Sequence, residues 1–316
     1  MKLKGKTIAI TGGTGFLGHH LVKRLVQEGA RPVLLIQPND QTWRIGGFGE
    51  NVALVRVGLY NETELRAAFR EIAPVIVVHL AGWMERKRDF ELIPRMLEAH
   101  LFSTVNILKT IDPQVTRLVV NTGTSEEYGE QPDPFSESLP IDAVSPYSAS
   151  KGAATVMAAY MSKAIDTPVV TMRPFIVYGP GQLHDTLIPF LIKGVLERRE
   201  VKLTEGLQRR DFLFVADLVE CYCRAMECLD NFHGPEIFNV GSGVGTRVCD
   251  VVHEIARILD GAQYLKIGAI PMRPGEPESM VADITKATER LGWEPRVSLA
   301  EGLRETIAWW QGRYDS

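Results

Sequence analysis

Tyr147 and Lys151 stand four residues apart in Ser145-Pro-Tyr-Ser-Ala-Ser-Lys151. On a helix that spacing places both side chains on one face, and Pro146 suits a first helical turn. A phenol ionises near pH ~10. A lysine cation beside it stabilises the phenolate and lowers that value. Such a pair can exchange a proton with a substrate oxygen near neutral pH. The spacing also recurs by chance as an exposed helical pair. Just upstream, Gly123-Thr-Ser-Glu-Glu-Tyr-Gly129 brings three hydroxyls and two carboxylates.

A second constellation is Thr11-Gly-Gly-Thr-Gly-Phe-Leu-Gly18. The apolar run Thr7–Thr11 before it reads as a buried strand, and the residues after it have apolar positions at helical spacing. Gly12, Gly15 and Gly18 therefore sit where a strand turns into a helix. Gly12 permits the turn, Gly15 lets a diphosphate approach the backbone, and Gly18 lets helix and strand pack closely. The helix N-terminus offers free N–H groups to phosphate. The expected ligand is a dinucleotide.

The elements that must position these residues alternate. Further strands are expected at Arg31–Gln37, Val52–Val57, Pro74–Leu80 and Thr116–Thr122, with helices at Glu62–Arg70 and near 90–110. Alternation predicts an α/β fold with a doubly wound parallel sheet. Ligands bind beyond the carboxyl ends of such strands. That rule gathers residues 12–18, 37, 80–82 and 122–128 at one edge. The residue closing the second strand faces the adenosine ribose, and an acid there selects NAD. Gln37 holds that position, with Asp40 nearby and Arg44 a few residues on, so NADP is the preferred expectation and NAD the alternative.

The 316 residues carry a net charge of −4 without a basic block, which disfavours nucleic acid or an anionic membrane as partner. The chain starts on two lysines and goes straight into a strand, without a signal-peptide pattern, so a cytoplasmic location is expected. Cys221, Cys223, Cys228 and Cys249 fit no common zinc spacing. They are expected as reduced thiols, and no metal site is expected.

Taken together, these motifs resemble the extended short-chain dehydrogenase/reductases that act on nucleotide sugars. The likeness continues through His79-Leu-Ala-Gly82, Arg173-Pro-Phe-Ile-Val-Tyr-Gly-Pro-Gly181, Arg209-Arg-Asp-Phe212, Phe238-Asn-Val-Gly-Ser-Gly243, Arg273-Pro-Gly-Glu-Pro277 and Leu291-Gly-Trp-Glu-Pro295. It implies a Rossmann domain over 1–174 and a smaller C-terminal α/β substrate domain over 175–316, with a segment near 209–240 returning to the first. It implies that Tyr147 moves the proton, that Lys151 tunes Tyr147 and holds the nicotinamide ribose, and that Thr124 hydrogen-bonds the reacting sugar oxygen. Ser125 and Glu126 join Thr124 as candidate catalytic residues. Cofactor contacts are implied for Gly12, Gly15, Phe16, Leu17, Gly18, Gln37, Arg44, Leu59, Leu80, Ala81, Gly82, Tyr147, Lys151 and Pro174. Arg210 and Arg273 match arginines that contact the substrate diphosphate. A homodimer is implied, built on the helix near 90–110 and the Tyr147 helix.

Several positions depart from the commonest members: Gln37, Gly58, Met84, His100 and Ile176. Three readings follow. Gln37, Arg44 and Glu-Glu-Tyr-Gly129 put first an NADPH-dependent reductase of a nucleotide-linked 4-keto (deoxy)sugar. Thr124-Ser125-Glu126 supports an NAD-retaining 4-epimerase, 4,6-dehydratase or decarboxylase. The third reading is a dinucleotide-binding regulator without catalysis, which Tyr147, Lys151 and Thr124 together argue against.

Overall fold

The computed structural model describes residues 2–85, 87–183, 185–272 and 275–314. The chain starts β1 (Thr7–Thr11), α1 (Phe16–Gln27), β2 (Arg31–Ile36), β3 (Ala53–Arg56), α2 (Glu62–Ile72) and β4 (Ile76–His79). It continues through α3 (Ile93–Leu97), α4 (Ser103–Thr110), β5 (Leu118–Thr122), α5 (Pro146–Ala164), β6 (Val169–Pro174), β7 (Ile176–Tyr178) and α6 (Leu187–Leu196). The remainder is β8 (Val201–Lys202), β9 (Arg209–Phe214), α7 (Val215–Glu227), β10 (Glu236–Val240), β11 (Gly245–Arg247), α8 (Val248–Leu259), β12 (Leu265–Lys266), β13 (Ser279–Met280), α9 (Thr285–Leu291) and α10 (Leu299–Tyr314).

Seven parallel strands form the central sheet in the order β10-β6-β5-β4-β1-β2-β3. The order reverses at β1, as in a doubly wound Rossmann sheet. The strands read as apolar runs rather than alternating ones because helices cover both faces. One face packs Ile8, Ile10, Leu34, Val78 and Val120 against α1 and α7 residues such as Leu21, Leu25 and Leu218. The other packs Ala9, Leu35, Val77 and Val119 against Leu65, Ile107 and Ala158.

The edge strand β10 lies some sixty residues beyond β6, and α7 packs on α1, so 215–240 runs along the main sheet. A smaller sheet has β9 at its centre, paired with β7, β11 and β13. Its core joins Phe212, Phe214, Leu191, Val251 and Leu303. The carboxylate of Asp211, on β9, accepts the backbone N–H groups of Ser242, Gly243 and Ala282 at 2.6, 2.9 and 3.2 Å. These bonds pin the strand to two neighbouring loops.

The helix expected near 90–110 runs without a break from Ile93 to Thr110, with a π-turn inside it. A short turn at Phe90–Leu92 leads into α3, and the π-turn, at Glu98–Phe102, joins α3 to α4. The Thr104 and Ser103 hydroxyls donate to the His100 carbonyl at 2.7 and 3.3 Å. That carbonyl also accepts the Ser103 backbone N–H.

Candidate active site

Parallel register aligns the strand ends. Thr11 pairs His79, His79 pairs Asn121, and Thr122 pairs Met172. The residues that follow each strand therefore emerge at one edge: Gly12 to Gly18, Leu80 to Gly82, Thr124 to Glu126, and Pro174 at the end of β6.

At Gly12 the backbone has φ +68°, and an added Cβ would stand 2.6 Å from the Ala81 nitrogen. At Gly18 an added Cβ would overlap the Gly12 carbonyl oxygen. The two glycines let the β1 turn, the β4 end and α1 meet backbone to backbone. No side chain caps α1, and its first turn holds no acid, so its N–H groups face outward unopposed by a fixed negative charge. This cradle fits a dinucleotide pyrophosphate. Phe16 and Leu17 open the helix and are half-buried. Leu59 is buried, and its carbonyl accepts Asn106 Nδ2 at 3.0 Å.

α5 begins on a capping box: the Ser145 hydroxyl accepts the Ser148 N–H at 3.1 Å, and Ser148 Oγ accepts the Ser145 N–H at 3.0 Å. With Pro146 at the first position, this fixes the turn that carries Tyr147. Tyr147 and Lys151 are both buried. Lys151 Nζ donates to the Thr122 carbonyl at 2.8 Å, which leans the ammonium against the β5 end. Burial pushes the Lys151 pKa down to about 8, with the Glu127 carboxylate pulling the other way. Gly82 adjoins the same ammonium: a Cβ there would lie 3.5 Å from Nζ.

Thr124 and Ser125 are buried at the β5 end. Thr124 caps a short turn over Ser125–Tyr128, with its hydroxyl accepting the Glu126 N–H at 3.3 Å. Glu126 is half-buried on that turn. Glu127 is fully buried and paired with Arg173 Nη2 at 2.8 Å, an ion-pair role that its neighbours in sequence do not reveal. A Thr-x-x-Glu spacing is the signature of a capping box, and that signal was present in the sequence.

Two expectations acquire different surroundings. Arg44 Nη2 donates to the Gly181 carbonyl at 3.2 Å, and its guanidinium lies 4.2 Å over the Trp43 ring. The Gln37 N–H is taken by Asp40 Oδ2 at 3.0 Å. A carboxylate thus stands at the β2 end although residue 37 itself is an amide. Arg210, on β9, is 7% exposed and ion-paired with Glu276. Arg273 lies outside the described residues. The four cysteines are free thiols, and among the described residues no cluster of His, Cys, Asp or Glu could hold a metal. Among the same residues no helix is long and apolar enough to cross a membrane.

Residues 8–241 match the model of the NAD dependent epimerase/dehydratase family. A UDP-glucuronate 4-epimerase of Thermodesulfobacterium geofontis is 28% identical, over 95% of this chain and 94% of that protein. A dTDP-4-dehydro-6-deoxy-D-allose reductase of a Streptomyces species is also 28% identical, over 97% of each. The Thermus thermophilus UDP-glucose 4-epimerase, solved with NAD, superposes with a TM-score of 0.84 at 27% identity, over 97% of this chain and 99% of that one. The fold agrees with these likenesses, and the chain belongs to the NAD dependent epimerase/dehydratase family.

Proposed function

We propose that the protein is an NAD-retaining 4-epimerase of a nucleotide sugar. The observation that supports this over the reductase is the Asp40 carboxylate on the Gln37 N–H at the β2 end. A fixed negative charge there accepts ribose hydroxyls and repels a 2′-phosphate. The Glu-Glu-Tyr-Gly motif loses its weight for the reductase, because Glu127 is engaged inside the protein by Arg173. A 4,6-dehydratase needs an acid to expel a hydroxyl, and Ser125 is a weak one. Epimerisation asks only for a proton exchanged at one oxygen, which Tyr147 supplies.

When bound, the dinucleotide supplies the hydride acceptor and, in the return step, the donor. Tyr147, its phenolate favoured by the Lys151 cation, takes the proton of the sugar hydroxyl as the carbon is oxidised. The Thr124 hydroxyl steadies the same oxygen. After the keto sugar turns over, Tyr147 returns the proton. Arg210 and Arg273 are assigned the diphosphate, a fitting use of forked cations. β9 belongs to the smaller sheet, so with the boundary at residues 174 and 175 it is 215–240, rather than the expected 209–240, that returns to the first domain. The free thiols suit a reducing cytoplasm.

The NADPH-dependent ketoreductase remains the second reading. It is favoured by Arg44 Nε, which is buried without a hydrogen-bond partner, and by Arg313, which shares the Trp43 ring with Arg44. Such a pair of cations suits an anion.

The deciding experiment is to identify the dinucleotide released from purified protein and to supply UDP- and dTDP-sugars without added cofactor. Retained NAD and interconversion of C4 epimers are expected. An empty site, and turnover only with stoichiometric NADPH, would transfer the assignment to the reductase.

A further inference from the structure

We propose that His100 is a positioning residue for Tyr147, a neutral imidazole that ties the start of the catalytic helix to the β4 end. The proposal rests on the reading that Tyr147 exchanges the proton.

His100 sits in the π-turn between α3 and α4 and is 1% exposed. Such turns recur at functional sites. Its Nε2 lies 3.2 Å from the Trp83 backbone nitrogen. An amide N–H only donates, so Nε2 accepts and carries no proton. The neutral ring then bears its proton on Nδ1, which faces Ser150 Oγ at 2.7 Å. Ser150 Oγ in turn donates to the Tyr147 carbonyl at 2.9 Å. The hydrogen bonds run one way, from Trp83 through His100 and Ser150 to Tyr147.

The ring also meets the phenol directly. Its centroid is 5.4 Å from that of Tyr147, edge to face at 85°. On another side it packs against Gly82, where a Cβ would stand 3.3 Å from the imidazole. One side chain therefore touches the proton-transfer residue, its helix and the segment after β4. His79, by contrast, is held by the Thr11 and Ser103 hydroxyls beneath the strand ends, at 2.7 and 3.1 Å.

The charged and titratable neighbours of His100 are Lys151, His79 and the Tyr147 phenol itself. Burial, then the Lys151 cation, then His79 hold its pKa down to about 3. The ring thus stays neutral through the working range, as its hydrogen bonds require. Loss of this bridge would let the phenol drift relative to Gly82, and misplacement by about 1 Å costs about 100-fold in rate.

The test compares full-length His100→Ala, His100→Gln, His100→Asn and Tyr147→Phe with wild type. A glutamine amide reaches the place of Nε2 and an asparagine amide only that of Nδ1. The expected result is a kcat about 100-fold lower in His100→Ala. KM for the nucleotide sugar should stay near wild type, and His100→Gln should recover more rate than His100→Asn. Nitrogen-15 spectra of histidine-labelled wild type should show His100 protonated at Nδ1 and silent to pH between about 5 and 8.

His100→Ala at wild-type kcat would overturn the proposal, as would an Nε2–H tautomer. So would kcat, KM and melting temperature failing together in every variant, the mark of a merely structural residue. If His100→Ala does not fold, equal kcat in the Gln and Asn variants overturns it. Tyr147→Phe turning over at the wild-type rate would instead defeat the proton-transfer reading itself.

Discussion

The Glu127 carboxylate accepts the backbone N–H of Thr124 at 2.9 Å with Oε1, while Oε2 accepts Arg173 Nε at 2.9 Å. Both side chains are shut off from solvent. The loop that presents Thr124 is therefore moored, through one buried ion pair, to the β6 end. A buried pair is poor evidence of net stability, but removing one partner strands the other charge, at a cost of about 3–5 kcal/mol. Glu127→Ala is expected to lose that much in urea unfolding. Glu127→Gln keeps an oxygen for Thr124 and should lose less. The double variant Glu127→Gln/Arg173→Met removes both charges and should be more stable than Glu127→Ala. Simple additivity of the two single changes would show that the pair does not act as a unit.

Such a pair marks where sequence reading stops. Thr124-x-x-Glu127 has the local spacing of a capping box. Arg173, its partner, lies far along the chain, and only the register of β5 beside β6 brings them together. The glycine turn, the alternating strands and the Tyr147–Lys151 face were legible because each is written within one element. The π-turn at His100 was not, since helical spacing does not mark where a wider turn enters. Nor was the fate of Arg44, whose hydrogen-bond partner Gly181 lies in a loop beyond β7.

The glycines separate a packing role from a ligand role. An alanine Cβ at Gly18 overlaps the Gly12 carbonyl oxygen, which is backbone and cannot yield. At Gly15 the added Cβ meets only that oxygen, at 3.2 Å. Gly18→Ala should lower the melting temperature markedly. Gly15→Ala should melt within a few degrees of wild type yet bind dinucleotide at least about tenfold more weakly, because it intrudes on the phosphate approach. Calorimetry and a dinucleotide titration on both variants check this. Equal affinity in Gly15→Ala and wild type would move the phosphates elsewhere.

The outer face of α5 exposes Val156, Met157 and Tyr160, next to Phe102 of the π-turn, which is half exposed. A monomer seldom leaves such an apolar face to water. The expected cover is the same face of a second copy, since a two-fold axis makes one patch complementary to itself. Tyr160→Glu together with Val156→Glu should convert a dimer into a folded monomer by sedimentation. Wild type sedimenting as a monomer at micromolar concentration would end this expectation.

The pH dependence has a definite sign. Burial, and then the Lys151 cation, push the His79 pKa down to about 3. Between that value and an unfolded pKa of about 6.5, the unfolded chain binds a proton that the folded chain refuses. Stability therefore falls as pH drops through this window, by about 1.4 kcal/mol per pH unit for one such group. Asp211 works the other way, its carboxyl raised by burial, but it is common to wild type and variant and cancels in their difference. His79→Gln should be less stable at pH 7 yet lose stability less steeply on acidification, and urea titrations at several pH values measure the gap. Lys151 gives the alkaline counterpart. Its pKa of about 8 means that its cation, and with it the stabilised phenolate, is lost above that pH. The cost of burying that cation is fully present below about pH 8 and is relieved as pH rises toward the unfolded value. Activity should fall above about pH 8, while the stability of wild type relative to Lys151→Met rises. An alkaline limb of kcat/KM that is unchanged in Lys151→Arg would mean that another group sets it.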